Sequence, residues 1–337
     1  MNETTTNTYQ ADNKTDSKTY NAENCGKKVL ISVVIPSYNR ADTVGQTIDS
    51  IIEQEVDADI EIIIGDDCST DNAREVLADY QKRFPKIIRL LLYEHNIGLG
   101  ANWATCIKAC KGKYICNCDN DDYWHNKKKL QLQLDYMESH PDCNVLLTNH
   151  RTHNRSTGEI KECEAFIDRT LPLQDAFWQG KTHVCNATIM YRRDFLLAHV
   201  NLDDFISHHF FLQDWNAWVI LSAYTDFEIL PVSTATFGIE TASITRPKDY
   251  DKYRKRLNED KKVCKYLDDL FQGKFHFDEA EWDDYTSYRM MRLALKKNDY
   301  KNAHLFARQT KHQDKYTRTA NSRLLYCLFR LMKLIKP

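Results

Sequence analysis

The sequence predicts an α/β protein: a doubly wound, mainly parallel sheet with flanking helices, extended at the C-terminus by further helices. Two observations carry that prediction. Short aliphatic runs alternate with amphipathic segments from Val29 to about residue 150, the pattern of right-handed βαβ units. Polar and acidic clusters directly follow those runs, at the strand ends where open parallel sheets bind ligands.

The elements follow in order. Residues 1–27 are rich in Thr, Asn, Asp and Lys without apolar periodicity, and are expected to form a disordered polar tail. Val29–Ile35 is an unbroken aliphatic run with one Ser, which fits a strand buried on both faces. Pro36 ends it, and Asp42 or Thr43 is placed to cap a helix carrying Val44, Ile48, Ile51 and Ile52. Strands are expected at Ile60–Ile64, Ile87–Tyr93, Tyr114–Cys118 and Val145–Thr148. Helices are expected at Ala73–Arg83, Gly100–Cys110 and Lys127–Ser139. The pattern then loosens, with a strand at Ala187–Tyr191, a helix at Gln213–Ala223 and a strand at Phe227–Leu230. From about Tyr250 the chain reads as charged helix. The boundaries are a tail over 1–27, an α/β domain over 28–248 and a helical region over 249–337.

Composition narrows the function. The 337 residues carry 46 Lys plus Arg against 48 Asp plus Glu, a net charge of −2; this near-balance gives no support for a nucleic-acid partner. No stretch of 18 apolar residues occurs, and the N-terminus lacks the apolar core of a secretory signal, so a cytoplasmic protein is the simple expectation. Eleven scattered cysteines, an odd number, fit reduced thiols better than a disulfide framework. Cys106, Cys110, Cys116 and Cys118 lack the two close pairs of a zinc site and read as core and turn cysteines.

Three strand ends carry candidate chemistry. Cys118-Asp119-Asn120-Asp121-Asp122-Tyr123-Trp124 puts three acids within four residues, which repel one another unless a cation or solvent screens them. A Mg²⁺ or Mn²⁺ ion shared between one or two carboxylates and substrate phosphates supplies that screening; a solvated helix cap is the plain alternative. The turn Gly65-Asp66-Asp67-Cys68-Ser69-Thr70-Asp71 offers a carboxylate to a base N–H, or else an ordinary Asx turn. In Pro36-Ser37-Tyr38-Asn39-Arg40, Tyr38 could stack on a base and Arg40 approach phosphate, or pack and face solvent. His208 and His209 stand next to each other, a poor arrangement for joint metal ligation.

The ordered series VVIPSYNR at 33–40, EIIIGDDCSTD at 61–71, NIGLGANW at 96–103 and GKYICNCDNDDYW at 112–124 resembles the inverting family 2 glycosyltransferases of GT-A fold. The similarity runs through roughly 29–245. The resemblance implies a nucleotide-sugar half over 28–125 and an acceptor half over 126–248. It implies a donor pocket from Pro36, Tyr38, Asn39, Arg40, Asp66 and Asp67, with Asn96 and Asn102 nearby and Asp119 and Asp121 at the diphosphate. A divalent cation, Mn²⁺ or Mg²⁺, is implied on the Asp119–Asp122 group, assigned to Asp121 and Asp122. The donor implied is a nucleotide diphosphate sugar, commonly a UDP-sugar. The acceptor is a glycan or lipid-linked saccharide of cell-surface polysaccharide synthesis.

An inverting transfer needs one carboxylate to deprotonate the acceptor hydroxyl. Asp214 is the candidate; it stands at the start of a helix, where dipole stabilisation is its other possible role. The family's Glu-Asp pair reads Gln213-Asp214 here, so the second acid is kept and the first is lost. In Thr236–Ser243, Gly238 stands where many relatives have Arg, with Glu240 nearby as a loop acid. Arg323–Lys336 reads as an amphipathic basic helix, suited equally to a membrane surface and to docking on the preceding helices. Two other readings stand beside the transferase. A nucleotidyltransferase would need a Gly-rich basic loop where Pro36–Arg40 stands. A degenerate glycan-binding or scaffold subunit would not need Asp67, Asp121, Asp122 and Asp214.

Overall fold

The computed structural model describes residues 31–211, 213–239 and 249–310. The N-terminal half delivers the expected alternation: β1 (Ile31–Ser37), α1 (Val44–Ile52), β2 (Ile60–Asp66), α2 (Ala73–Arg83), β3 (Ile88–Leu92), α3 (Leu99–Ala109) and β4 (Tyr114–Asn117). All seven residues of β1 are buried, because helices cover both faces of the sheet. Strands β3, β2, β1 and β4 lie side by side and parallel in that order. Thr43 holds the N-cap position of α1, but its hydroxyl donates to the carbonyl of Asn120 at 2.7 Å and not to the helix.

Past β4 the sheet becomes mixed. β5 (Tyr123–Trp124), α4 (Lys129–Ser139), β6 (Val145–Asn154), β7 (Glu159–Cys163) and β8 (Phe166–Ile167) lead to α5 (Leu173–Trp178) and β9 (Thr182–His183). Then come β10 (Met190–Arg192), α6 (Arg193–His199), α7 (Leu202–His208), α8 (Gln213–Leu221) and β11 (Phe227–Ile239). β10 sits antiparallel between β4 and β6, and β11 runs parallel to β6.

Three elements differ from their sequence signals. The run expected to be a strand at 187–191 opens as a 3-10 turn, Asn186–Thr188, and only its end pairs. β6 continues past Thr148 because it folds back on β7 as a hairpin. β11 continues past Leu230 through Pro231; its register against β6 shifts between Leu230 and Ala235, as expected where proline donates no ladder hydrogen bond.

α9 (Tyr250–Leu270), α10 (Glu279–Lys296) and α11 (Tyr300–Gln309) follow. Leu257, Tyr288, Met291 and Phe306 form a small separate core, while Val263 and Leu267 of α9 enter the main core beside Phe205 and Phe210. The helical region is thus seated on the α/β unit through α9. No described helix is long and apolar enough to cross a membrane. The tail at 1–27, Glu240 and the basic segment Arg323–Lys336 lie outside the described residues.

One buried group gives a pH test of this core. His150 on β6 is 3 % exposed with its Nδ1 unpartnered, and its ring lies 5.1 Å from that of His183. Burial, and then the charge of His183, push its pKa down to about 4 from 6.5. The folded state therefore resists protonation that the unfolded chain accepts. His150 contributes stability above about pH 6.5 that is lost as pH falls toward 4, at up to about 1.4 kcal/mol per pH unit. His150→Gln is expected to flatten the dependence of Tm on pH between 4 and 6.5; an unchanged slope contradicts it.

Candidate active site

The chain ends of β1, β2 and β4 open on one cleft of about 370 Å³. At the end of β1, Asn39 adopts a left-handed conformation with φ of 50°. Its Oδ1 accepts from the Thr70 N–H at 2.7 Å, and its own N–H donates to Ser69 Oγ at 2.9 Å. The loops after β1 and β2 are thereby tied together. Tyr38 and Arg40 are left facing the cleft, Tyr38 being 40 % exposed. Pro36 lines the floor beside Ser37.

The adjacent carboxylates after β2 part company. Asp66 is fully buried and takes Arg74 Nε at 2.6 Å and the Ser69 N–H at 3.1 Å. Asp67 lines the cleft and accepts the N–H groups of Ile97 and Gly98 at 2.6 and 3.0 Å. Burial raises the Asp67 pKa and those two donors oppose the rise. Each oxygen keeps a free lone pair for a ligand N–H. Asn96 and Asn102 also line the cleft, and donate to the carbonyls of Asp67 and Gly65 at 3.2 and 2.8 Å.

The turn after β4 holds the acids. Asp119 and Asp121 face the cleft; Asp122 lies beneath, 1 % exposed. The turn's backbone is clamped from three elements. Thr43 and Thr47 of α1 donate to the carbonyls of Asn120 and Asp122 at 2.7 and 2.6 Å. Arg155, from the β6–β7 turn, donates to the carbonyl of Asp121 at 2.9 Å. The N–H of Gly238 on β11 donates to Asp122 Oδ1 at 2.9 Å. Glycine is required there, since a Cβ would stand 2.3 Å from the Asp121 carbonyl oxygen. No side chain fits at 238, and a guanidinium reaches the acid turn from the β6–β7 connection instead, through Arg155.

The charges in this turn are poorly balanced. Arg40 Nε lies 3.5 Å from Asp121 Oδ2. Burial, then the charges of Asp121 and Asp214, push the Asp119 carboxyl up. Burial, then Asp121 and Asp119, push Asp122 well above the usual carboxylate range. Asp122 Oδ2 is buried without a hydrogen bond. Among the described residues no three His, Cys, Asp or Glu side chains form a ready-made metal cage. A hard cation that completes its shell with substrate phosphate needs only one or two carboxylates. An orphaned carboxylate oxygen beside a second, cleft-facing carboxylate fits such an ion.

Asp214 opens α8, half-buried, with Oδ1 accepting the Trp215 N–H at 2.7 Å. Burial raises its pKa, and the charge of Arg256 on α9 opposes the rise. Phe211, three residues earlier, lines the cleft. The structure therefore brings Pro36, Tyr38, Arg40, Asp67, Asn96, Asn102, Asp119 and Asp121 to one cavity, whereas Asn39, Asp66 and Asp122 brace it from behind. Phe211, Phe237, Arg155 and Asn186 had no sequence signal beyond position. His209, left-handed at φ of 52°, turns away from exposed His208 to bond the Ile97 carbonyl. Cys106, Cys110, Cys116 and Cys118 are buried thiols.

Residues 32–199 match the family model described as glycosyl transferase family 2. The chain belongs to that family. It is 37 % identical over 110 residues to the putative teichuronic acid biosynthesis glycosyltransferase TuaG of Bacillus subtilis, covering 33 % of this chain and 42 % of TuaG. It is 36 % identical over 112 residues to the UDP-Glc:alpha-D-GlcNAc-diphosphoundecaprenol beta-1,3-glucosyltransferase WfaP of Escherichia coli, again covering 33 % and 42 %. The chain spans about a third of the length of other curated relatives it matches. S. aureus TarS 1-349 in complex with UDP-GlcNAc superposes with a TM-score of 0.51 at 17 % identity, covering 90 % of this chain and 88 % of that one. That likeness carries the GT-A fold.

Proposed function

We propose that this family 2 protein transfers a sugar, with inversion, from a nucleotide diphosphate sugar to a hydroxyl of a cell-surface glycan or lipid-linked saccharide. UDP-sugars are the favoured donors, in keeping with the relative named for UDP-Glc. The observation that carries the proposal is the convergence of four separated segments on one cleft: a ring at Tyr38, acceptors at Asp67, amides at Asn96 and Asn102, and carboxylates at Asp119 and Asp121.

The chemistry follows from those positions. Tyr38 stacks on the base while Asp67 accepts its N–H. Asp121 at the cleft and Asp122 behind it would hold Mn²⁺ or Mg²⁺. When bound, the ion neutralises charge developing on the leaving diphosphate. Arg40 adds a fixed positive charge on that side. Asp214 takes the proton of the acceptor hydroxyl as its oxygen bonds to the anomeric carbon; the bond to the diphosphate breaks on the opposite face and the electron pair leaves with the diphosphate. The elevated pKa of Asp214 makes it a stronger base than an exposed aspartate.

The test is nucleotide release. Protein shown to be folded is incubated with UDP-, dTDP- and GDP-sugars and envelope glycans, with Mn²⁺, Mg²⁺ or EDTA. One donor is expected to give cation-dependent release that Asp121→Asn abolishes. Release from none, with glycan binding intact, would turn the reading to a non-catalytic glycan-binding subunit.

A further inference from the structure

Beneath the acid turn runs a buried polar chain that none of the donor contacts requires. Trp103 on α3 and Asn117 on β4 are fully buried, and Asn186, in the turn before β10, is 6 % exposed. Trp103 Nε1 donates to Asn117 Oδ1 at 3.3 Å. Asn117 Nδ2 donates to Asn186 Oδ1 at 2.9 Å. Asn186 Nδ2 reaches both carboxylate oxygens of Asp119, each at 3.3 Å.

The direction of this chain is fixed by chemistry. An indole N–H can only donate, so the Asn117 atom facing it must be oxygen. The Asn117 amide group then faces Asn186, whose facing atom must in turn be oxygen. The second amide group is left to face Asp119, whose ionised carboxylate offers acceptors only. Flipping both amides would set N–H against N–H at one end and oxygen against carboxylate at the other. No solvent is at hand to absorb that mismatch, and unpaired polar groups at such depth are costly.

We infer that Asn186 is a positioning residue: Trp103 and Asn117 lock its amide so that it orients the Asp119 carboxylate for the cation-bound diphosphate. The inference rests on the donor-site reading of the cleft. The sequence marks Asn117: an amide within the buried run Tyr114–Cys118 is out of place at a central strand unless it is bonded.

The experiment is calorimetric titration of UDP into the full chain, with and without MnCl₂, comparing wild type, Asn186→Ala and Asn117→Leu. Asn117→Leu severs the chain without touching Asp119. Both variants are expected to keep the UDP affinity measured without Mn²⁺, which depends on Tyr38 and Asp67, and to lose about tenfold or more of the gain that Mn²⁺ brings. Retention of the full Mn²⁺ gain by both variants overturns the inference. So does an equal loss with and without the ion, since that marks general damage to the cleft. If one variant fails to fold, the other decides. If wild type binds no UDP under either condition, the donor reading fails separately. The orienting chain is then judged by the hydrogen exchange of the Asn186 side-chain amide, assigned by NMR. Exchange slow in wild type and at least about tenfold faster in Asn117→Leu supports it; equal rates overturn it.

Discussion

Replacing Asp214 with asparagine is expected to slow sugar transfer by about 10²–10⁴-fold, the usual worth of a positioned general base. Nucleotide affinity should stay within a factor of a few, since Asp214 lies outside the residues lining the donor cleft. The substitution preserves shape and leaves the Trp215 N–H an acceptor. It also removes one of the charges that push the Asp119 carboxyl up, so the variant should not be less stable. Steady-state kinetics separates the outcomes. A fall in kcat with unchanged KM for the donor fits the base; a rise in KM alone makes Asp214 a binding group.

Gly238→Ala is expected to be nearly as damaging, for a steric reason. The added Cβ would meet the Asp121 carbonyl oxygen at 2.3 Å. That oxygen cannot retreat freely, because Arg155 bonds it and Thr43 and Thr47 hold the carbonyls on either side. β11 cannot retreat either, being paired to β6 through Ile239. The strain is expected to cost about 1–3 kcal/mol of stability and to displace Asp121 enough to weaken cation-dependent nucleotide binding by about tenfold or more. Equilibrium urea unfolding and a metal titration read the two effects. A variant as stable as wild type with the same metal affinity contradicts the account of why glycine stands at 238.

The N-terminal half was legible because its residues obey one strong rule at a time. Val33–Ile35 and Ile62–Ile64 are aliphatic on both faces and can only be central strands. α2 runs over Ala73–Arg83 as its periodicity demands. The second half was less so, because there tertiary pairing overrides the local signal. The polar run Asn149–Asn154 is strand only because β7 and β11 flank it, and Ala187 sits in a 3-10 turn despite its apolar neighbours.

The site divides along the same line. Strand-end position picked out Tyr38, Asp67, Asp119 and Asp121, but it could not separate Asp66 from Asp67. Adjacent residues at a strand end point to opposite sides: Asp66 pairs with Arg74 in the interior, whereas Asp67 meets the cleft. Nor could sequence reveal Arg155, which reaches the acid turn only because the β6–β7 hairpin folds over it. Asn117 and Asn186, 69 positions apart, meet through the antiparallel insertion of β10, a topology that the mainly parallel pattern did not announce.

On the reading proposed above, this cleft is a cation-dependent site for a nucleoside diphosphate. The measurement that tests it most directly is calorimetric titration of UDP, dTDP and GDP into wild type and Asp121→Asn, each with Mn²⁺ and with EDTA. Saturable one-to-one binding of one nucleotide is expected, strengthened by Mn²⁺ in wild type and not in Asp121→Asn. No binding of any nucleotide to folded wild-type protein, or binding indifferent to both the ion and Asp121, would contradict it.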